Sequence, residues 1–395
     1  MGLSKSARNT LFCLILLLFA SFTALSQPYA TGSLNNTYID PSRNNRQIPV
    51  AVYYPAQNPG SGVAMAPGSF PVVSFGHGFV TVHTAYKYLW EVLVPLGYIV
   101  AFPLTEGSAI PPPSHMDFGL DIAFVARKIV NEGLTNPSSV FYGHVKDRRA
   151  LMGHSMGGGS AYMGAASDTS ITTLVTLAAG NISSLAINAA AEISVPTLLF
   201  AGQNDCITPP SQHQQPLYDS TASLQKVMIT VLGGGHCYFA DYNFNCSLGE
   251  LTCSPQPTIS RAQQQQTTLD FLIPWLDYTL NDNNTAWQLF YDSLTSSGRI
   301  TYQLKWTLTG RGHGMGYQKC NQSFSSLGER LDLEIPASFL PVAINVFNSS
   351  GQLVYAKSSV KLPALTLDTA AWPKGVYFLR IFGTSYLCAG KIIRQ

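Results

Sequence analysis

One stretch of the chain has the residue types and the spacing of a serine nucleophile. Residues 150–152 are a short apolar run, and the Gly-x-Ser-x-Gly motif of residues 153–157 follows directly, with small residues at helical spacing beyond it. A strand, a sharp turn and a helix in this order hold a serine hydroxyl clear of a sheet. The motif therefore predicts that Ser155 is a nucleophile, and a chance glycine-rich loop is the alternative interpretation.

A serine hydroxyl is a weak nucleophile that needs a base, an orienting acid and hydrogen-bond donors for the oxyanion. Asp205 and His236 each follow a predicted apolar strand. The order serine, acid, histidine along the chain is that of an α/β-hydrolase. His236 is predicted to take the proton of Ser155, and Asp205 to orient the imidazole ring. The alternatives are that Asp205 is a turn residue, that His236 is a surface-loop histidine, or that Asp241 is the acid.

The oxyanion donors are predicted to be backbone amides. A predicted strand over residues 71–76 leads into His77-Gly78-Phe79. In α/β-hydrolases an amide after this early strand and the amide after the nucleophile bind the oxyanion. We therefore expect the N–H groups of Phe79 and Met156 to do so, with an ordinary glycine turn as the alternative. His77 is expected to pack and hydrogen-bond locally.

These features need a sheet whose strand ends meet at one edge. Short apolar strands alternate with helical segments between residues 48 and 278, which predicts a doubly wound, mostly parallel sheet with helices on both faces. Functional residues collect at the carboxyl ends of such strands. The predicted fold class is therefore α/β, an α/β-hydrolase sheet, followed over residues 329–395 by a small β-sandwich of short strands and turns.

Composition and the N-terminus indicate an exported globular protein. The 395 residues are 46% hydrophobic and 11% charged with a net charge of +2, which gives no reason to expect nucleic acid or an anionic membrane as partner. Lys5 and Arg8 precede an apolar run over residues 11–20, and small residues follow, which is typical of a secretory signal peptide over residues 1–26. No later stretch is long and apolar enough to span a membrane. We expect a secreted or cell-surface monomer.

Six cysteines follow the signal peptide, an even number that favours disulfides in an oxidising compartment. They are Cys206, Cys237, Cys246, Cys253, Cys320 and Cys388. Their spacing does not fix the pairing. A metal site that joins His236 to Cys237, Cys246 and Cys253 is the alternative, but this spacing matches no zinc signature. Neither a metal nor a cofactor is predicted.

Residues 27–306 resemble the cutinase and polyester (PET) hydrolase branch of the α/β-hydrolases, which is related to dienelactone hydrolases. The resemblance depends on residues 153–159, 76–79 and 205–209, which read GHSMGGG, GHGF and DCITP. It implies the triad and the oxyanion hole given above, and it places three side chains at the substrate site. These are Phe79, His154 and Ile207.

The same resemblance bears on substrate and disulfides. Polyester-cleaving members usually carry a tryptophan shortly after the strand that follows the nucleophile, whereas residues 177–181 hold no aromatic side chain. This difference argues against activity on aromatic polyesters and leaves ester hydrolysis intact. Residues 237–266 are an insertion that covers or reshapes the cleft. A disulfide near the catalytic loops of some relatives implies the pairings Cys206–Cys237 and Cys246–Cys253.

The C-terminal part resembles the sorting domain of the type IX secretion system of Bacteroidetes. Residues 346–354, 374–381 and 390–393 carry this resemblance. It implies that residues 329–395 have the secretion machinery as a partner, and residues 307–328 are predicted to be a linker. A carbohydrate-binding or adhesive module is the alternative.

The sequence thus predicts a secreted serine esterase that cleaves carboxylic esters, polyesters among them, through an acyl-enzyme. A lipase, a short-chain carboxylesterase and a peptidase are the catalytic alternatives. The alternative from another class is a surface-binding protein that keeps the fold without catalysis.

Overall fold

The computed structural model describes residues 28–181, 184–306, 318–319, 324–326, 330–335, 340–362, 364–382 and 387–394. The predicted signal peptide lies outside these residues, as does most of the predicted linker.

The first large unit is a sheet of ten strands within the described residues. The strands are β1 (Ala30–Asp40), β2 (Arg46–Ala56), β3 (Gly60–Ser61), β4 (Phe70–Gly76), β5 (Ile99–Pro103), β6 (Val145–His154), β7 (Thr173–Leu177), β8 (Thr197–Gly202), β9 (Gln225–Val231) and β10 (Ile300–Trp306). Their order is β10-β9-β8-β7-β6-β4-β5-β2-β1-β3. Neighbours from β9 to β5 are parallel, whereas the pairs β9–β10, β5–β2 and β2–β1 are antiparallel.

Helices connect the strands and cover both faces of the sheet. They are α1 (Lys87–Leu93), α2 (His115–Thr135), α3 (Met156–Ser167), α4 (Ser184–Ala190), α5 (Gln214–Ser220), α6 (Phe244–Glu250), α7 (Arg261–Asn281) and α8 (Asn284–Ser296). Helix α7 begins at Arg261, because Ser260 and Gln263 form a capping box in which each side chain satisfies the other residue's backbone N–H. None of the helices in the described part of the chain has the length and apolarity to cross a bilayer.

The central part of the sheet is buried on both faces, as the continuous apolar strands predict. Successive residues of β6 point to opposite faces: Leu151 joins the cluster formed with α2 and α3, whereas Met152 joins the cluster formed with α7 and α8. Because both faces are covered there, the central strands are open to solvent only at their ends. The predicted α/β-hydrolase fold is confirmed.

The C-terminal residues form two small sheets. The strands are β11 (Gln318–Lys319), β12 (Phe324–Ser326), β13 (Arg330–Glu334), β14 (Val342–Asn348), β15 (Leu353–Val360), β16 (Ala364–Asp368), β17 (Gly375–Phe382) and β18 (Leu387–Arg394). One sheet has the order β11-β18-β17-β14-β15 with β12 also on β18, and the other pairs β13 with β16. Most of their buried apolar side chains form a cluster of their own. This agrees with the predicted sandwich, although β11 and β12 lie inside the stretch predicted as linker.

Candidate active site

The nucleophile predicted from the motif stands on a strained turn between β6 and α3. Ser155 has φ 54° and ψ −117°, a left-handed backbone that costs a non-glycine residue about 1–3 kcal/mol and is concentrated at functional sites. The turn is tight, because a Cβ on Gly153 would collide with the Gly157 backbone, and a Cβ on Gly157 would collide with Gly76 of the neighbouring strand. The two glycines are therefore required by close backbone approach.

The three residues predicted to form a triad lie in one hydrogen-bonded chain. His236 Nε2 lies 2.9 Å from Ser155 Oγ, and His236 Nδ1 lies 2.8 Å from Asp205 Oδ2. The acid and the imidazole are buried, at 4% and 2% exposure, while the serine is half-buried at the end of the sheet. The carboxylate orients the ring so that Nε2 is the atom that faces the hydroxyl. This is the geometry of a general base beside its nucleophile.

Thr208 is a member of this cluster that the sequence reasoning missed. Its hydroxyl lies 2.9 Å from Asp205 Oδ2 and 2.9 Å from His236 Nδ1, and its backbone N–H donates to Asp205 Oδ1 at 2.8 Å. Ile207 N–H donates to the same oxygen at 2.9 Å. The carboxylate is thus held by an Asx-type turn, for which an aspartate followed three residues later by threonine was the available signal.

The loop that carries the imidazole is clamped by helix α7. Gln264 accepts from Gly235 N–H at 2.9 Å and donates to the Gly235 carbonyl at 2.8 Å, so its side-chain amide binds both backbone polar groups of this residue. Arg261 donates through Nη1 to the carbonyls of Cys237 and Ala240. No local pattern predicted these contacts, because they join residues that are distant in sequence.

The predicted oxyanion donors lie at the ends of neighbouring strands. β4 and β6 are parallel, and Gly76 pairs with Gly153, so the loop with Phe79 and the start of α3 with Met156 leave the sheet side by side. Within the described residues neither amide N–H donates to a protein group. Two unpaired donors beside a nucleophile suit an oxyanion, and this assignment stays a prediction.

Two histidines in the motifs are structural. His77 is buried, and its two ring nitrogens face the carbonyls of Gly78 and Thr105 at 2.9 and 3.0 Å, as local packing predicts. His154 is 1% exposed and bonded through both ring nitrogens to protein groups. Its side chain therefore does not face the cleft, contrary to its predicted role at the substrate site.

The disulfide pairing differs from the prediction. The bonds are Cys206–Cys253 and Cys237–Cys246, with Cα atoms 5.4 and 5.7 Å apart. All four cysteines are oxidised as predicted, but the predicted pairing was wrong because each catalytic loop is joined to the inserted segment and not to the other loop. These thiols are not available as metal ligands. In the described residues no cluster of three His, Cys, Asp or Glu side chains suits a metal ion.

The segment predicted to be an insertion, residues 237–266, includes helix α6 and forms a wall beside the site. Asn245 of α6 donates to the Val80 carbonyl at 3.3 Å, next to the predicted oxyanion loop. Gly249 lies against Ile207, since a Cβ there would be 3.5 Å from Ile207 Cδ1. Buried Glu250 accepts from Cys237 N–H at 3.2 Å. The wall therefore touches the loops of the acid, the base and the oxyanion donor, and Ile207 lies where it meets the acid loop.

His154 also gives the fold a pH dependence. Burial, and then the charge of His236, lowers the pKa of His154 well below its ordinary value of 6.5. In the unfolded chain the His154 imidazole is protonated below about pH 6.5, whereas in the folded chain it stays neutral. The stability that the neutral, buried imidazole contributes is therefore complete above about pH 6.5 and is lost as the pH falls further. We expect the unfolding free energy of His154→Gln to fall less steeply than that of the parent below pH 6, by about 1.4 kcal/mol per pH unit. Urea denaturation of both proteins at pH 5 and pH 7 measures this. An equal loss of unfolding free energy between the two pH values in both proteins would contradict it.

The sheet, its order and the nucleophile turn after β6 are those of an α/β-hydrolase. The chain belongs to the PET hydrolase-like family, whose pattern matches residues 49–254. A secretion system C-terminal sorting domain matches residues 329–395. This domain assigns the protein to the cell surface or the extracellular space, as predicted.

Curated relatives are ester hydrolases of low identity. The chain is 27% identical over 172 residues to a bis(hydroxyethyl) terephthalate hydrolase of Streptomyces coelicolor, which is 44% of this chain and 49% of that protein. It is 25% identical over 173 residues to cutinase est1 of Thermobifida alba (44% and 52%), and 24% identical over 187 residues to a cutinase of Thermobifida fusca (47% and 56%). The chain thus matches about half the length of these relatives.

Proposed function

We propose that this protein is a secreted serine esterase of the cutinase and polyester hydrolase type. The observation that carries the proposal is the chain of hydrogen bonds from Ser155 Oγ through His236 to Asp205, with 2.9 and 2.8 Å between the bonded atoms. A buried imidazole between a hydroxyl and a carboxylate is an arrangement for proton transfer during acyl transfer.

The reaction proceeds through an acyl-enzyme. Ser155 Oγ attacks the ester carbonyl while His236 Nε2 takes its proton, and Asp205 stabilises the imidazolium. The N–H groups of Phe79 and Met156 bind the oxyanion of the tetrahedral intermediate. The imidazolium returns the proton to the leaving alcohol. A water molecule, deprotonated by the same imidazole, then releases the acid and regenerates the serine.

The substrate class is a hydrophobic ester presented at a surface. Phe79 is 52% exposed at the oxyanion loop, and the inserted wall exposes Phe244, Leu248 and Leu251 at 65, 55 and 70%. These three positions lie four and three residues apart on one face of α6 and its end. The relatives named for cutin and for bis(hydroxyethyl) terephthalate support both aliphatic and aromatic ester substrates. A lipase or a short-chain carboxylesterase is the catalytic alternative.

The sorting domain completes the proposal. Residues 329–395 engage the secretion machinery, and the preceding residues 27–306 act as the catalytic unit. The division of the chain at residues 26, 306 and 328, and the monomeric state, are part of this proposal.

The direct test is hydrolysis of p-nitrophenyl butyrate by the purified protein, combined with covalent labelling by a fluorophosphonate. We expect turnover and a single adduct, mapped to Ser155 by peptide mass spectrometry. Absence of both turnover and adduct would support the non-catalytic surface-binding protein instead. An adduct on another serine would show that the nucleophile is misassigned.

The exposed face of the wall is expected to govern adsorption to polymer and not the chemistry. In a Ser155→Ala background, which prevents degradation, Leu248→Ser with Leu251→Ser is expected to lower the partition onto a polyester film about tenfold or more, because burying even half of each leucine side chain stabilises binding by about 1 kcal/mol. Depletion of the protein from solution over films of known area measures this.

A matched control is Leu134→Ser, since Leu134 is 51% exposed near the end of α2. Its neighbour Gly133 packs against the start of β6, so Leu134 lies at the edge of the sheet opposite to the active site. With an intact Ser155, the wall variant should hydrolyse p-nitrophenyl butyrate at the parental rate. A wall variant that adsorbs like the control would contradict this role of the wall.

A further inference from the structure

Two buried side chains beside the triad take no part in the mechanism above. Tyr86 ends the short helical turn His83–Tyr86 that follows the oxyanion loop, and His154 directly precedes Ser155. Their side chains are 0% and 1% exposed. Polar groups at such positions must be fully hydrogen-bonded, since an unpaired one costs about 1–3 kcal/mol.

The protons in this pair have one consistent arrangement. His154 Nε2 lies 3.1 Å from the backbone carbonyl of His236, and a carbonyl only accepts, so Nε2 carries the proton. Burial keeps the ring neutral. Nδ1 is then an acceptor, and the Tyr86 hydroxyl donates to it at 2.9 Å. The lone pairs of that hydroxyl are free to accept, and Gly78 N–H donates to it at 2.8 Å.

The bonds therefore run in one direction across the site. Gly78 N–H donates to Tyr86, Tyr86 donates to His154, and His154 donates to the backbone of His236. Gly78 lies in the loop of the proposed oxyanion donor Phe79, His154 adjoins Ser155, and His236 is the proposed base. Three segments that are far apart in sequence are joined by two side chains.

The carbonyl of Gly78 is hydrogen-bonded as well as its N–H. It lies 2.9 Å from His77 Nδ1 and accepts from Thr81 N–H at 3.1 Å. Because a trans peptide is planar, the N–H of Phe79 points away from that carbonyl. Fixing both polar groups of Gly78 thus fixes the direction of the amide that is proposed to bind the oxyanion.

The backbone of Gly78 packs closely against the side chains of Tyr86 and His154. A Cβ added to Gly78 would lie 3.2 Å from the Tyr86 hydroxyl oxygen and 3.3 Å from His154 Nδ1. The loop therefore rests directly on the pair, and a change in either side chain is transmitted to the loop backbone.

We infer that Tyr86 and His154 are positioning residues that hold the oxyanion loop in register with the serine and the imidazole. The inference rests on the proposed esterase function. Neither side chain touches substrate. Their effect is on the transition state, because the oxyanion forms only there, and a displaced donor stabilises it less than a fixed one.

Tyr86→Phe tests the inference with minimal change in packing, since it removes only the hydroxyl. Loss of an oxyanion donor lowers kcat by about 100- to 1,000-fold, and a donor that is loosened but present should lose less. We expect kcat for p-nitrophenyl butyrate to fall about tenfold with KM within twofold of the parent. The inhibition constant of butaneboronic acid, which forms a tetrahedral adduct on the serine, should rise by a similar factor.

The matched control is Tyr54→Phe. Tyr54 is also 0% exposed and its hydroxyl donates to one backbone carbonyl, that of Val63 at 2.8 Å, but it lies on β2 away from the loop. Tyr54→Phe measures how much stability the same fold loses when a buried tyrosine hydroxyl is removed. We expect a lower melting temperature in both variants, and a lower kcat only in Tyr86→Phe.

A second pair of variants keeps the test decisive if Tyr86→Phe does not fold. His154→Gln offers an oxygen toward Tyr86 and an N–H toward the His236 carbonyl, whereas His154→Leu offers neither. We expect the glutamine variant to retain most of the parental kcat and the leucine variant to lose about tenfold. This rescue depends on the hydrogen bonds and not on side-chain volume.

The outcomes separate the two proposals. A parent protein with neither turnover nor a serine adduct would overturn the esterase function and this inference with it. An active parent, with Tyr86→Phe equal to Tyr54→Phe in kcat and in boronate inhibition, would overturn the positioning role alone. Equal activity of the two His154 variants would do the same.

Discussion

Replacement of Ser155 by alanine is expected to lower kcat for ester hydrolysis by about 10⁴- to 10⁶-fold. The alanine has no Oγ to attack the carbonyl, so the acyl-enzyme cannot form, and only the oxyanion donors and substrate binding remain. The fold should be unaffected, since among the described residues the Ser155 hydroxyl is hydrogen-bonded to His236 Nε2 alone. Initial rates with p-nitrophenyl butyrate and a melting curve measure the two quantities.

Ser160→Ala is the control for this variant. Ser160 lies five residues further along α3, is 0% exposed, and its hydroxyl has no hydrogen-bond partner among the described residues. Loss of this hydroxyl should leave kcat within about twofold of the parent, because it lies outside the hydrogen-bonded chain. A Ser155→Ala protein with parental turnover would show that another residue is the nucleophile.

The second large effect is expected from Asp205→Asn, a loss of about 10⁴-fold in kcat. The carboxylate holds His236 with its proton on Nδ1, so that the lone pair of Nε2 faces the serine. An amide can turn its N–H₂ toward Nδ1, which favours the tautomer with the proton on Nε2 and leaves the serine without a base. Because the acid does not touch the substrate, KM should change far less than kcat.

Asp241→Asn provides the comparison, since Asp241 was the other candidate for the acid in the sequence. Its carboxylate accepts from Gln265 Nε2 at 3.1 Å and from Tyr88 N–H at 3.3 Å, whereas the carboxylate bonded to His236 is that of Asp205. We expect near-parental kcat. A large loss in Asp241→Asn together with a small one in Asp205→Asn would reverse the assignment of the acid.

The candidate chemistry was predictable because it resides in local patterns. The Gly-x-Ser-x-Gly motif is a local signature of the turn, since Gly153 is required by close contact with the Gly157 backbone four residues away. Asp205 and His236 were found from their positions at strand ends, because parallel strands bring their carboxyl ends to one edge. The continuous apolar runs likewise predict that the central strands are buried on both faces of the sheet.

The residues that hold the site could not be predicted in the same way. Tyr86, Thr208 and Gln264 act through hydrogen bonds to residues between 3 and 68 positions away. Only for Thr208 is the partner local enough to leave a pattern. The sequence around a buried tyrosine or glutamine does not indicate whether its polar atom hydrogen-bonds to a catalytic loop or to an unrelated backbone carbonyl.

The sequence alone thus determined the fold class, the predicted nucleophile, acid and base, and the sorting domain, because each depends on short-range spacing or on strand periodicity. Only the tertiary structure decided the disulfide partners, the burial of His154 and the place of the inserted wall. These depend on how α6 and α7 pack over loops from other parts of the chain, and such packing distances are not encoded in the spacing of cysteines or histidines.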